Sequence, residues 1–524
     1  MASNLKHYIS LLQQPKTVHV FQILMALWIL ASYLMAPFQR PDSFEFGGYL
    51  LAGYRLNAGQ TLYKDWHFMY GPLVAYWASV VVKTGWSLPA LHRLYFLPEA
   101  IGTSLAIYTT LRVARPNLLF SFLVLLGSLS FFAVGARWCG VLVALVLFSN
   151  SLVEGRKVLG YLAGLAVGIQ VLYFQDIAVY TGITLFVLFC ILLATRRFNH
   201  KDQLTLGFSV LAGFLTVALI LSVFLSMIGA LPNYVDRAWV FTAKYYDKFA
   251  FADPPRFFSI VEAQSSNRYD KFVLPLVVRW ISGTFSFYIL PTVGAIGVVF
   301  YTSKIKRTSV VTADLVVKLA LSIISIILFR IVFKTGDTIK LAVNLFPAVI
   351  LSFTLVRDTA KTRLQFVPII LVVCVLSMTL YPYVRNTIKA RDGITKIESN
   401  VEAKERSDRE TVVAYLRTRI SSTNKFVALP NDTLLYIDLN QINPLSFDYF
   451  DPIVSPRYDK TLADELETRA PKYIVWDRSA RFWSQWEMGN NFGLLTTRRV
   501  HSTYLLEKTF GTYEIYVHKH YDRN

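Results

Sequence analysis

The sequence predicts a polytopic α-helical membrane protein of about eleven transmembrane helices, followed by a C-terminal α/β domain outside the membrane. Three observations lead there. Of 524 residues, 54% are hydrophobic and 17% charged, where an ordinary soluble domain carries about a quarter charged. Mean hydropathy is +0.43. Apolar runs close to the roughly 20 residues that a membrane helix needs recur along the first 383 residues. A soluble enzyme, a disordered chain and a small disulfide scaffold are not expected on the same grounds.

The runs lie at 18–37, 93–111, 117–135, 138–153, 158–174, 177–195, 204–229, 283–302, 313–331, 339–356 and 365–383. The stretch before the first is polar and lacks a short apolar core with a small-residue cleavage site, so the first run is read as a retained helix. With the amino terminus inside, the even-to-odd connections carry Arg112 and Arg115, Arg156 and Lys157, Arg196, Arg197 and Lys201, Lys304, Lys306 and Arg307, then Arg357, Lys361 and Arg363. That alternation follows the positive-inside rule. Lys318 reads as a snorkelling side chain near the inner end of its run. The excess of 53 Lys+Arg over 34 Asp+Glu has two competing causes, retained cytoplasmic loops and an anionic lipid substrate. Nucleic acid is not expected as a partner, because no basic stripe is interleaved with stacking aromatics. Cys139, Cys190 and Cys374 form neither a metal spacing nor a disulfide framework.

This parity divides the chain into a membrane domain, 1–383, with outer loops 38–92 and 230–281, and an outer domain, 384–524. The run at 70–82 is too short and aromatic to cross and reads as an interfacial helix. In the outer domain Lys425–Leu429, Leu434–Leu439, Tyr473–Asp477 and Thr512–His518 look like short strands, with Thr461–Arg469 helical between them. The charged stretch Arg385–Arg419 is predicted to be helical. The middle outer loop, with Tyr234, Trp239, Tyr245 and Tyr246, reads as an interfacial anchor or as a lid over substrate.

The first outer loop carries the most chemistry. Asp42 and Glu45 are three residues apart and would share a helix face; carboxylates at the mouth of a membrane protein are functional candidates, with a solvated, helix-capping loop as the plainer alternative. Tyr49-Leu50 follows, then Gly59 to Tyr63, Lys64-Asp65 and Gly71-Pro72-Leu73. This order resembles the first outer loop of the GT-C superfamily, the integral-membrane glycosyltransferases that use polyprenyl-phosphate sugars, among them the lipid A aminoarabinose transferase and the protein O-mannosyltransferases. Two later segments are similar to the same family: Gly164 to Gln170 leading to Gln175-Asp176, and Lys334 to Lys340 running into Leu345-Phe346-Pro347. Asp42 and Glu45 stand apart where relatives often have adjacent acids, and Lys334 and Lys340 stand where relatives often have Arg and His.

The resemblance implies an inverting transfer from undecaprenyl phosphate to a cell-envelope glycan, O-antigen or lipopolysaccharide, at the periplasmic face of a bacterial inner membrane. Asp42 or Glu45 would take the acceptor's proton. Fixed cations would meet the leaving phosphate: Lys64, His67, Arg137, Lys334 and Lys340. Tyr49, Asp65, Gln175, Asp176 and Asp337 would hold sugar or acceptor. No cofactor is required, although Asp42, Glu45 and Asp176 could meet around a divalent ion, Mg or Mn. The partners would be the lipid-linked sugar, the glycan and the bilayer. The competing readings are a lipid-linked-glycan flippase or transporter and an O-antigen ligase or polymerase.

Overall fold

The computed structural model describes residues 15–35, 45–114, 135–244, 286–335, 346–359, 407–421, 425–430, 432–448, 455–479, 488–490 and 492–521. In chain order the helices begin with α1 (Pro15–Met35), α2 (Glu45–Asn57), α3 (Pro72–Val82) and α4 (Leu88–Ala114). There follow α5 (Gly135–Glu154), α6 (Lys157–Tyr173), α7 (Gln175–Thr195) and α8 (His200–Met227). Two short helices, α9 (Leu231–Tyr234) and α10 (Phe241–Lys244), flank a π-helical turn, Val235–Val240. Next come α11 (Ser286–Arg307), α12 (Ala313–Thr335), α13 (Phe346–Thr359) and α14 (407–417). The rest is β1 (Phe426–Leu429), α15 (Leu434–Asp438), α16 (Pro456–Arg469), β2 (Tyr473–Asp477), α17 (Leu494–Thr503), β3 (Tyr504–Phe510) and β4 (Tyr513–His518).

The expectation of about eleven membrane spans is overturned. Among the described residues two helices, α7 and α8, are long and apolar enough to cross a membrane, and α3, α6 and the Cys139–Glu154 part of α5 are shorter apolar helices. The physical reason is that an apolar run does not say whether its helix faces lipid or protein. In α12, Val316, Val317, Leu319, Ala320, Leu321, Ile324 and Leu328 are fully buried inside the protein, so this run is a core helix. The α4 run carries Glu99 and an internal Pro98, and α11 ends on Lys304, Lys306 and Arg307.

Two compact units divide the chain: 1–37, 96–221 and 250–388 form one, and 38–95, 222–249 and 389–524 the other. In the first, α12 is the central helix, packed by α5, α7, α11 and α13. Close helix approach is sequence-encoded at Gly164 and Gly213, where a Cβ would overlap the backbone carbonyls of Val210 and Tyr161 respectively; small residues let backbones meet in this way. Lys318 does not snorkel. It is 2% exposed and sits 3.0 Å from Asp358 and 3.3 Å from Asp314, a buried pair that ties α12 to α13.

In the second unit a four-stranded mixed sheet has the order β1-β2-β4-β3. Strands β1 and β2 run parallel, with Phe426 opposite Tyr473, and β4 pairs antiparallel with both β2 and β3. Three of the expected strands appear as β1, β2 and β4, whereas Leu434–Leu439 is the helix α15 and its following turn. A short apolar run has no periodicity to separate strand from helix; here Leu435, Tyr436 and Leu439 fall on one helical face and enter the core with Phe426, Val475 and Ile515. Leu51 of α2 lies in that same core, where each fully buried Leu or Val is worth about 1.5–3 kcal/mol over exposure. Gly53 lets α3 press on α2, since a Cβ there would stand 2.6 Å from the Ala78 carbonyl carbon.

Candidate functional site

The site is built first by the way α2 ends. Gly59, at φ +82°, supplies the left-handed residue that closes the helix, and the Gln60 amide donates to the Arg55 carbonyl at 3.1 Å. The chain then doubles back on itself: the Lys64 and Asp65 amides donate to the Thr61 carbonyl, and the Asp65 carboxylate accepts from the Thr61 amide at 2.5 Å. Tyr63 also has positive φ, anchored by full burial and a 2.6 Å bond from its hydroxyl to the Tyr70 carbonyl. The turn therefore leaves Lys64 and Asp65 exposed side by side.

Beneath it lies a buried guanidinium. Arg55 is 1% exposed, and its Nε and Nη2 hold Asp448 at 2.5 to 3.1 Å. Its Nη2 also donates to the Leu445 carbonyl at 2.7 Å and its Nη1 to Gln60 Oε1 at 2.8 Å, while the Trp66 ring lies 5.5 Å away. This fork fixes the turn against the segment around 445–448.

Lys64 and Asp65 stand on the wall of a cavity of about 480 Å³, within the range of small-molecule sites. The other walls are Asn233, Asp236 and Arg237 from the segment around the π turn, Ser446 and Phe447, and one face of α16. Pro456 at the first helical position starts α16, and Arg457, Thr461, Glu465 and Arg469 then recur every four residues, which aligns them in one stripe. The wall holds four cations, Lys64, Arg237, Arg457 and Arg469, and three carboxylates, Asp65, Asp236 and Glu465. Asp236 accepts from Arg457 at 3.2 Å and from the Tyr458 hydroxyl at 3.0 Å. Glu465 accepts from the Ser446 amide at 2.7 Å and its hydroxyl at 2.5 Å, with Arg469 at 3.9 Å. Arg237 donates to the Trp66 carbonyl. Burial pulls the Arg237 pKa down, against the opposing pull of Tyr458, Asp236, Glu465 and Asp65.

His67 is not on this wall. It is 1% exposed and its ring is caged by Phe241, Phe447 and Tyr458 at 5.1 to 5.7 Å. Neither ring nitrogen has a hydrogen-bond partner among the described residues, and burial, then the charge of Arg237, holds its pKa well below the ordinary 6.5. Tyr49 is likewise interior, stacked on Tyr95 at 5.5 Å and edge-on to Tyr70.

Of the other residues singled out in the sequence, Asp42, Asp337 and Lys340 lie outside the described residues, as do the side chains of Glu45, Arg137 and Lys334. Glu45 opens α2, about 20 Å along the helix axis from its far end. Gln175 and Asp176 begin α7, Gln175 buried and Asp176 in the first turn; they belong to the other compact unit. Among the described residues no three His, Cys, Asp or Glu side chains gather as a metal set. Sequence reasoning missed Arg55, Asp236, Arg237, Asp448 and the stripe on α16. The stripe was visible as a four-residue polar period, and Arg55 as the single basic residue of the largely apolar helix α2. No family model matches the chain, and no curated protein matches it in sequence.

Proposed function

We propose that the chain is a membrane-attached, inverting glycosyltransferase that moves a sugar from undecaprenyl phosphate to a cell-envelope glycan. The observation that carries the reading is the place of Lys64 and Asp65. The turn that holds them belongs to the loop that resembles polyprenyl-phosphate-sugar transferases, and both line a polar cavity walled by carboxylates, cations and the rings of Phe447 and Tyr458. Mixed hydrogen-bonding groups beside aromatic rings suit a sugar, which offers hydroxyls at its rim and apolar C–H faces. The apolar helices α7 and α8 support attachment to a membrane. The reading rests on the loop and the cavity, and not on a number of spans.

In the transfer an acceptor hydroxyl gives its proton to Asp42 or Glu45, its oxygen bonds to the anomeric carbon, and the bond from that carbon to the phosphate oxygen breaks. The polyprenyl phosphate leaves with the bonding pair, and cations stabilise its charge. The test is release of undecaprenyl phosphate from a panel of undecaprenyl-phosphate sugars by the purified full chain, with envelope glycan as acceptor. Wild type is expected to release it in an acceptor-dependent way, and Asp42→Asn or Glu45→Gln to abolish release. Movement of glycan across a vesicle without glycosyl transfer would replace the reading with that of a transporter.

A further inference from the structure

We infer that the cavity between Lys64 and the α16 stripe is a recognition subsite for an anionic sugar residue of the acceptor glycan, remote from the bond that is made. The acceptor role rests on the transferase reading; the preference for an anion rests on the cavity alone.

The charge preference follows from which groups are already engaged. The carboxylates are occupied: Asp65 by the Thr61 amide, Asp236 by Arg457 and Tyr458, Glu465 by both donors of Ser446. Of the four cations two are paired, Arg457 with Asp236 and Arg469 with Glu465, and two are not. Lys64 is exposed with no partner among the described residues, and Arg237 has no carboxylate at ion-pair distance among them. What the cavity offers a ligand is therefore chiefly donors and positive charge. A neutral sugar would leave them facing only hydroxyl oxygens, whereas a carboxylate or phosphate on the sugar makes charge-assisted hydrogen bonds, about twice as strong as neutral ones.

The lining also argues against the donor's lipid phosphate as occupant. A prenyl chain needs an apolar wall, and here that wall is limited to the rings of Phe447 and Tyr458, with no aliphatic side chain. Distance points the same way. Glu45 begins α2 and the cavity lies past its other end, about 20 Å away along the axis, a span of several sugar residues in an extended glycan. Binding energy gathered far from the reacting centre can position the acceptor hydroxyl.

The experiment is equilibrium binding to the purified full chain of a galacturonate trimer, its carboxyl-reduced galactose trimer, and the pair mannose 6-phosphate and mannose. The galacturonate trimer is expected to bind at least tenfold more tightly than the galactose trimer, and the phosphate pair reports whether a phosphorylated sugar is taken equally. Lys64→Gln, on an exposed side chain, is expected to weaken the anionic ligand at least fivefold without changing the melting temperature, and Arg457→Gln, which also releases Asp236, to weaken it with a small fall in melting temperature. Equal affinity for charged and neutral sugars, unchanged affinity in both variants, or displacement of the uronate by geranyl phosphate at lower concentration than by mannose 6-phosphate would each overturn the inference. Uronate binding with no transfer from any donor would leave the subsite standing and remove the transferase reading. Transfer to neutral acceptors with no preference for charge would do the reverse.

Discussion

Replacing Arg55 with Met should cost the second unit about 3–5 kcal/mol, because it strands Asp448 in a site where that side chain is 2% exposed. The size follows from burial. On the surface the same pair would be worth at most about 1 kcal/mol. Here Arg55 supplies three contacts of 2.5 to 3.1 Å to one carboxylate, and the Leu445 carbonyl and Gln60 side chain lose their donors as well. In a unit of about 220 residues each kcal/mol moves the melting temperature by roughly 2–4 °C, so the expected fall is about 6–20 °C. The assay is thermal denaturation of the full chain in detergent, read by tryptophan fluorescence, with Trp66 lying 5.5 Å from the guanidinium. Asp448→Leu alone should cost a similar amount by stranding Arg55. The double variant Arg55→Met/Asp448→Leu should recover at least half of either loss, since replacing both members of a buried pair by apolar groups is often close to neutral. A fall below 2 °C for Arg55→Met, or a double variant whose loss is the sum of the two single ones, would refute the account of a coupled buried pair.

His67→Phe should leave the fold at pH 7 unharmed, because the ring nitrogens have no partners to lose. It should also flatten the acid limb of stability: with the folded pKa held below the ordinary 6.5, the unfolded chain binds the proton first. Wild type therefore weakens as pH falls below about 6.5, by up to about 1.4 kcal/mol per pH unit, and melting temperature against pH reads both. Asp459→Ala should cost about 2–3 kcal/mol, since the carboxylate receives the Leu495 and Thr496 amides at 2.9 and 3.0 Å and the Thr496 hydroxyl at 2.6 Å at the start of α17. Asp459→Asn should lose about half as much in the same melt. Gly164→Leu should lower the melting temperature sharply, because its Cβ would overlap the Val210 carbonyl, while Gly182→Leu, with open space around its Cβ, should be within about 0.5 kcal/mol of wild type.

The parts of the fold legible in the sequence are those whose signal is local. Tyr473–Asp477 is a strand because four β-rich apolar residues, Tyr473 to Trp476, are bounded by Lys472 and Asp477, and the reading agrees with the structure residue for residue. The helix expected over Thr461–Arg469 ends where α16 does, but α16 begins five residues earlier, at Pro456 after the extended Ser455, a start signal that the apolar pattern alone did not show. The runs at 313–331 and 434–439 misled for a common reason: composition reports that a segment avoids water, but not what replaces the water. For α12 the replacement is protein on nearly every side. The edge strand β3 was invisible for the opposite reason. Its interior residues face outward, with only Tyr504 buried, so it shows no apolar alternation to detect.

The candidate site was half legible for a reason that also bears on its function. Its walls come from 60–65, 233–237 and 446–469, three segments brought into one unit by tertiary contacts alone. Sequence proximity can find Lys64 next to Asp65, but it cannot say that Asp448 will meet Arg55 across 393 positions. A turn held by its own backbone bonds could have displayed Lys64 without such a pair. Burying a bidentate ion pair there instead makes the position of the turn depend on the 445–448 segment, which also supplies Ser446 and Phe447 to the cavity. The charge pattern of the cavity is thus set by the C-terminal segment as much as by the loop. Substituting Asp448 should therefore lower affinity at Lys64 even though Asp448 does not line the cavity. That loss should be read as weaker galacturonate binding at a temperature well below the melting point of the variant; unchanged binding there would mean that the turn positions Lys64 without help from the buried pair.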